Sequence, residues 1–317
     1  MKTVGYVDMW EDTVQGPLSI LSNPNSFSDA CRKTIAKKGN GFLHIDEIAA
    51  KHAVELRIPK EAEILICSEF GSSRYALAQT NCKLVLVLCY EPTSQVPDSK
   101  LDPCTTPSKV YYLSSRLSDG DESILYIPLF VIFYGQSVLQ ELSIPRPLPS
   151  TSVPFSKRKD CLTLISNTSA SYRKTFLEGL MKHIQVDNYG KLLKNATSPL
   201  AETVWYDPRL VDLVKQYKCV LTMENTSLVG YHTEKICHGF RAQSVPIYWG
   251  DPLITRVFAP ESFIEITKGK EDRAYKAIQT VCSNESAWRR MVEAQVFQSD
   301  GWSRIRYNVA KLERLFQ

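Results

Sequence analysis

The stretch KCVLTMENTSLVGYHTEKICHGFRAQSVPIYWG, residues 218–250, contains two short apolar segments separated by a polar loop and a helical pattern. KCVLTM (218–223) and VPIYW (245–249) are apolar on both faces, which is typical of strands in a parallel sheet covered by helices. The loop ENTSLVGY leads to a helix that we expect to begin near Thr233, a good N-cap residue type. The stretch therefore predicts a strand–loop–helix–strand unit.

The same alternation of apolar strands and helical patterns continues along the chain in two halves. Residues 143–160, SIPRPLPSTSVPFSKRKD, separate the halves, because their four prolines, serines and basic patch interrupt regular structure. We therefore expect an α/β protein with a first domain at residues 1–150 and a second at residues 151–302. Residues 303–317 then form an amphipathic helix. Further predicted strands and one helix are TVGYV (3–7), EILIC (63–67), KLVLVLC (83–89), CLTLIS (161–166) and SYRKTFLEGLMKHI (171–184).

Composition excludes several classes of protein. The chain has 317 residues, 44% hydrophobic and 23% charged, which is typical of a globular protein. A net charge of +4 is too small to indicate a nucleic-acid partner. The longest apolar run, residues 123–135, is shorter than the ~20 residues that a bilayer span requires. Nine cysteines without a C-x-x-C pair favour reduced thiols, so we expect a cytoplasmic protein that could also lie against the inner face of a membrane.

A lysine occupies an unusual place at the start of the predicted helix. Lys235 lies in the first turn, where the positive end of the helix dipole disfavours a cation. An anion such as phosphate would compensate, because helix N-termini bind anions through free N–H groups. The alternative is an ordinary surface lysine beside a capping Thr233, and both interpretations stay open at this point.

Residues 217–266 resemble the signature region of the alpha-1,3-fucosyltransferase family, in its bacterial form. That family has a strand ending in F-E-N-S, then Y-x-T-E-K, V-P-(I/V)-x-x-G and P-x-S-F-I. Here the motifs are M-E-N-T, Y-H-T-E-K, V-P-I-Y-W-G and P-E-S-F-I. The resemblance implies the GT-B fold, two Rossmann-like domains that face each other across a cleft. It also implies that the C-terminal helix packs back on the first domain, although the helix could instead rest on an anionic membrane surface.

The resemblance further implies a reaction and a set of site residues. An inverting transferase would move L-fucose from GDP-fucose to O3, or O4, of N-acetylglucosamine. The acceptor would be an N-acetyllactosamine-type oligosaccharide or glycolipid, giving a Lewis-type product or a modified lipopolysaccharide. The second domain would bind the donor, and the first would face the acceptor. The residues that match the family's donor site are Arg173 and Lys235 for the diphosphate, Glu234 and Tyr231 for the sugar hydroxyls, and Asn225 and Gly190 in donor-domain turns.

The expected general base is Glu91, which follows a predicted buried strand. Glu69 holds an equivalent strand-end position and is its rival, and an ordinary surface glutamate is the simpler alternative. No cofactor is required, since two cations can neutralise the diphosphate, and a divalent metal would at most stimulate. A transferase that uses another nucleotide sugar and a non-catalytic glycan-binding protein are the competing functions.

Overall fold

The computed structural model describes residues 3–7, 55–56, 61–68, 82–90, 109–115, 121–134, 136–168, 171–197 and 209–317. Internal contacts divide the chain into two compact units, and each contains a parallel sheet. Unit 1 comprises Met1–Gly135 and Arg304–Gln317, and unit 2 comprises Gln136–Ser303. The predicted α/β fold class is confirmed.

Unit 1 is built on a six-stranded parallel sheet with the order β2-β1-β3-β4-β5-β6. Strand β4 is buried along its whole length, as its uninterrupted apolar sequence LVLVLC requires. The strands are β1 (Thr3–Val7), β2 (Glu55–Leu56), β3 (Ile64–Ser68), β4 (Leu84–Cys89), β5 (Lys109–Ser114) and β6 (Ile124–Tyr126). Helix α1 (Leu129–Phe133) follows β6.

The C-terminal helix α8 (Ser299–Leu315) supplies part of unit 1 from the far end of the chain. Ile305, Leu312 and Phe316 are buried there, which accounts for the apolar stripe of the sequence. The Asn308 side chain accepts a hydrogen bond from the backbone N–H of Tyr126 at 3.3 Å. This segment is therefore an integral part of the unit 1 core.

Unit 2 is built on a five-stranded parallel sheet with the order β11-β10-β9-β7-β8. Its strands are β7 (Lys159–Thr163), β8 (Val186–Asn188), β9 (Tyr217–Met223), β10 (Val245–Trp249) and β11 (Ile264–Glu265). Its helices are α2 (Gln136–Ser143), α3 (Ser171–Leu180), α4 (Arg209–Val214), α5 (Lys235–Ala242), α6 (Glu271–Ser283), α7 (Glu285–Glu293) and the start of α8.

Helix α3 packs on the sheet of unit 2 through the face that its sequence predicts. Phe176, Leu177 and Leu180 are at most 1% exposed and share a core with Ile247 of β10 and Trp288 of α7. The predicted helix was longer than the observed one, which ends at Leu180.

The proline-rich segment, residues 143–160, is bound to unit 2. The guanidinium of Arg146 donates hydrogen bonds to the backbone carbonyls of Phe240 and of Val292. The contacts therefore divide the chain after Gly135, upstream of the boundary expected at residue 150.

Arg158, from the basic patch of the same segment, is a second buried arginine. It donates to the carbonyl oxygens of Val153, Tyr217 and Gln243 at 3.0, 3.1 and 2.9 Å, and it lies 4.7 Å above the ring of Trp288. Burial lowers the pKa of Arg158 to about 10, so the side chain stays charged at neutral pH. The charge is retained inside because carbonyl oxygens and an aromatic face replace water.

We expect Arg158→Gln to lower the free energy of unfolding by about 2–4 kcal/mol, since it leaves buried carbonyls without donors. Urea denaturation followed by circular dichroism measures this. Lys157→Gln, which removes the same charge from an exposed neighbour, should change stability by less than about 0.5 kcal/mol. Equal effects of the two substitutions would show that Arg158 does not anchor the segment.

Candidate functional site

The six residues expected to bind the donor all belong to unit 2 and lie in its described part. They come from helix α3, from the turn after β8, and from the loop that joins β9 to α5. Ligands of parallel α/β sheets bind beyond the carboxyl ends of the strands, and the loop after β9 lies at such an end.

Glu224, directly after β9, organises this loop. Its side chain is fully buried. One carboxylate oxygen accepts a hydrogen bond from the backbone N–H of Thr233 at 2.7 Å, and the Thr233 hydroxyl lies within 3.0 Å of both oxygens. The second oxygen accepts from the Lys235 ammonium at 3.0 Å. The two ends of the loop are thus held together by one carboxylate.

Lys235 is the first residue of α5 and has carboxylates as its partners. Its Nζ also donates to the Thr233 hydroxyl at 2.8 Å and lies 3.7 Å from the Glu234 carboxylate. Burial lowers the pKa of Lys235, but the charges of Glu224 and Glu234 outweigh this and raise the pKa above the ordinary lysine value. The ammonium therefore keeps its proton, with 29% of the side chain exposed.

The prediction that Thr233 caps the helix is wrong. The cap position belongs to Glu234, which makes no capping hydrogen bond through its side chain. The Thr233 hydroxyl binds the Glu224 carboxylate instead, because a buried charge requires donors more strongly than an exposed helix end does.

Arg173 on α3 is 2% exposed and is oriented by two asparagines. One guanidinium nitrogen donates to the Asn225 side-chain oxygen at 3.0 Å, and the other donates to the backbone oxygen of Asn167 at 3.2 Å. Burial lowers the pKa of Arg173, and the charge of Glu224 opposes the shift. Its Nε–H finds no hydrogen-bond acceptor among the described residues. Arg173 and Lys235 thus bind the consecutive residues 225 and 224 at one strand end.

The remaining donor-site candidates differ in their surroundings. Tyr231 and Glu234 are each 6% exposed and lie just before α5. Gly190 follows β8, and a Cβ atom there would lie 2.2 Å from the carbonyl oxygen of Ile165. Its N–H donates to the Asn188 side chain at 3.0 Å. Glycine is therefore needed for a close approach of two backbone segments.

The role of Glu224 was not predicted from the sequence, although this residue belongs to the M-E-N-T motif. A carboxylate at the end of an apolar strand, followed by a lysine at a helix start, was the available signal. A further signal was Gly250 after β10. A Cβ at Gly250 would lie 2.5 Å from Cγ of Glu224 and 2.5 Å from the Tyr248 hydroxyl, so the glycine leaves room for both side chains.

A buried histidine–aspartate pair also escaped the sequence analysis. Nδ1 of His232 lies 2.9 Å from the Asp251 carboxylate, with both side chains buried. Burial raises the pKa of Asp251, but the hydrogen bond and the charge of His232 outweigh it and lower the pKa below its usual value. The pair ties the β9–α5 loop to the turn after β10.

Glu91 and its rival Glu69 lie outside the described residues. The described ranges contain no cluster of three or more His, Cys, Asp or Glu side chains arranged to hold a metal ion. Every helix in those ranges is too short or too polar to span a bilayer.

The part of the chain that contains this site is similar to a known family of proteins. Residues 154–298 match the family described as glycosyltransferase family 10 (fucosyltransferase), C-terminal part. The chain is 34% identical over 113 residues to alpha-(1,3)-fucosyltransferase B of Drosophila melanogaster, a match that covers 33% of this chain and 23% of that protein. It is 30% identical over 138 residues to alpha-(1,3)-fucosyltransferase FucT of Helicobacter pylori, covering 43% and 27%.

A third relative carries a different description. The chain is 38% identical over 124 residues to GDP-fucose protein O-fucosyltransferase 3 of Danio rerio, covering 38% of this chain and 26% of that protein. The matched part of each of these three relatives amounts to about a quarter of its length.

Solved structures share the fold. A crystal structure of an alpha1,3-fucosyltransferase superposes with a TM-score of 0.68 at 18% identity, covering 99% of this chain and 90% of that one. A crystal structure of such an enzyme with GDP-fucose gives a TM-score of 0.66 at 17% identity, covering 100% and 90%. The expectation of a GT-B fold is confirmed.

Proposed function

We propose that this chain, whose residues 154–298 match the family described as glycosyltransferase family 10 (fucosyltransferase), transfers L-fucose from GDP-fucose to an acceptor hydroxyl with inversion at the anomeric carbon. The observation that carries the proposal is the convergence of Arg173 and Lys235 on residues 225 and 224, at the carboxyl end of β9. The Danio rerio relative, a GDP-fucose protein O-fucosyltransferase that is 38% identical over its matched part, supports GDP-fucose as the donor.

The two cations suit a diphosphate leaving group. As the bond to the anomeric carbon breaks, negative charge grows on the β-phosphate, and fixed positive charges there stabilise the transition state. Arg173 presents a planar guanidinium suited to two phosphate oxygens, whereas Lys235 supplies a point charge. On this basis we propose that no metal is required and that a divalent ion at most stimulates the reaction.

The neighbouring side chains complete a donor site within unit 2. Tyr231 and Glu234 are placed before α5, beside Lys235, and we assign them to the hydroxyl groups of the donor sugar. Asn225 orients Arg173 by its hydrogen bond. Gly190 provides the close turn after β8. We assign the acceptor to unit 1, where Glu91 would take the proton of the attacking hydroxyl.

For the acceptor we propose O3, or O4, of N-acetylglucosamine in an N-acetyllactosamine-type oligosaccharide or glycolipid, which gives a Lewis-type product. The names of the Drosophila melanogaster and Helicobacter pylori relatives support an α-1,3 linkage. The Danio rerio match favours a second candidate, a protein hydroxyl as acceptor. We propose a cytoplasmic location, with contact to the inner membrane face if the acceptor is a glycolipid.

Incubation with radiolabelled GDP-fucose and N-acetyllactosamine tests the proposal, and we expect a fucosylated trisaccharide that carries the label on O3 of N-acetylglucosamine. Transfer to a folded protein acceptor but not to the disaccharide would favour the second candidate. GDP-mannose and UDP-galactose serve as comparison donors. Faster transfer from either of them than from GDP-fucose would identify a transferase that uses another nucleotide sugar. Binding of the glycan without transfer from any donor would identify a glycan-binding protein.

We expect Arg173→Ala and Lys235→Ala each to weaken GDP binding by about 1.5–3 kcal/mol, because each removes a charge-assisted hydrogen bond to phosphate. Isothermal titration calorimetry measures the affinity. Lys182→Ala removes an exposed lysine of unit 2 and should leave GDP binding unchanged. Unchanged affinity in both site variants, with thermal unfolding intact, would remove the diphosphate assignment.

We expect Glu91→Gln to keep GDP affinity and to slow transfer by about 10²–10⁴-fold, the usual effect of losing a general base. Steady-state kinetics with GDP-fucose measures this, and the loss should appear in kcat. Glu69→Gln is the matched variant and should slow transfer much less. The reverse order of the two effects would reassign the base to Glu69, and normal turnover in both would require another proton acceptor.

A further inference from the structure

We infer that Glu224 is a positioning residue, which holds the Lys235 ammonium protonated and in place for the donor diphosphate before the donor binds. The inference rests on the proposed function for the identity of the anion. The geometry that carries it lies wholly within unit 2.

The side-chain hydrogen bonds of Glu224 go to the start of α5. Its oxygens bind the Thr233 N–H, the Thr233 hydroxyl and the Lys235 ammonium, at 2.7–3.0 Å. The Thr233 hydroxyl also accepts a hydrogen bond from Lys235 at 2.8 Å. Carboxylate, hydroxyl and ammonium therefore form a closed triangle, which leaves the lysine stem few alternative positions.

A merely structural role does not account for a charge at this position. Removing a carboxylate from water costs several kcal/mol, and well-packed apolar residues of similar volume often replace buried ion pairs without loss of stability. The Glu224 side chain lies in a closely packed space, since a Cβ atom at Gly250 would lie 2.5 Å from its Cγ atom. The retained charge serves Lys235, the partner that is 29% exposed and thus accessible to a ligand.

The charges around Lys235 determine the pH at which its ammonium group loses its proton. The groups that act on it electrostatically are the carboxylates of Glu224 and Glu234 and the Tyr231 hydroxyl, and the charge of Glu224 also acts on Arg173. Burial lowers the pKa of Lys235, and the two carboxylates raise it. Without the charge of Glu224, burial is less opposed, so the pKa of Lys235 falls and the ammonium loses its proton at a lower pH.

Glu224→Gln tests this, because glutamine keeps the shape and one acceptor for the Thr233 N–H. GDP affinity is measured by calorimetry from pH 7 to about pH 10, the range below the ordinary lysine pKa. We expect the ratio of variant to wild-type affinity to fall with rising pH, by about tenfold for each pH unit above the lowered pKa. Titration of the guanine base affects both proteins equally and cancels in the ratio.

Asp212→Asn is the matched control, since it makes the same carboxylate-to-amide change at an exposed pair with Lys215. Its affinity ratio should stay constant with pH. A constant ratio for Glu224→Gln as well, in a folded variant, would overturn the inference and leave Glu224 a structural residue.

A second measurement uses the unmodified chain and does not depend on the variant folding. Amine acylation of the whole protein without nucleotide, followed by mass spectrometry, gives the pH midpoint of labelling for each lysine. We expect the midpoint of Lys235 to lie above that of the exposed Lys182. A midpoint at or below that of Lys182 would overturn the inference. Failure of the wild-type chain to bind GDP would contradict the proposed function instead, and the labelling would still decide whether the carboxylates beside Lys235 keep it protonated.

Discussion

The buried carboxylate of Glu224 is the constraint on which the geometry of the proposed donor site depends. A charge without water must be met by donors, and the chain supplies them from the end of the β9–α5 loop. The start and the end of the loop are therefore held together by this carboxylate. The lysine at the helix start, unfavourable for the dipole, is retained because a carboxylate stands beside it. Gly250 has no side chain because Glu224 and Tyr248 occupy that space.

The buried arginines of unit 2 are likewise surrounded by hydrogen-bond partners that replace water. Arg146 and Arg158 bind backbone carbonyl oxygens, and Arg173 binds two asparagine oxygens. The first two bind the proline-rich segment to the rest of unit 2. A stretch with the composition of a linker is therefore part of a domain. Arg173 differs because its side-chain acceptor, Asn225, lies in the loop at the carboxyl end of β9. Two of these guanidinium groups hold the proline-rich segment, and the third is the one that we propose for the donor diphosphate.

Strand positions could be predicted from the sequence because a parallel sheet buries both faces of a strand. Short continuous apolar runs such as 218–223 and 245–249 are typical of such strands. The sequence also predicted that Lys235 and Arg173 belong to one site, and the structure brings them to the consecutive residues 224 and 225. The Thr233 cap was wrong, because local propensity does not account for a partner nine residues earlier in the chain. The burial of Arg158 was not predictable, as the basic tripeptide KRK (157–159) resembles a solvated surface until its carbonyl partners are known.

The C-terminal helix has a consequence for the order in which the protein acquires its structure during synthesis. Unit 2 consists of one continuous segment, so all of its strands have been made once Ser303 has been added. Unit 1 begins before unit 2 in the chain, yet Ile305, Leu312 and Phe316 of its core are synthesised only after all of unit 2. The earlier part of unit 1 must therefore wait with an incomplete core while unit 2 is made. Of the two units, the one that begins earlier in the chain is the one completed later.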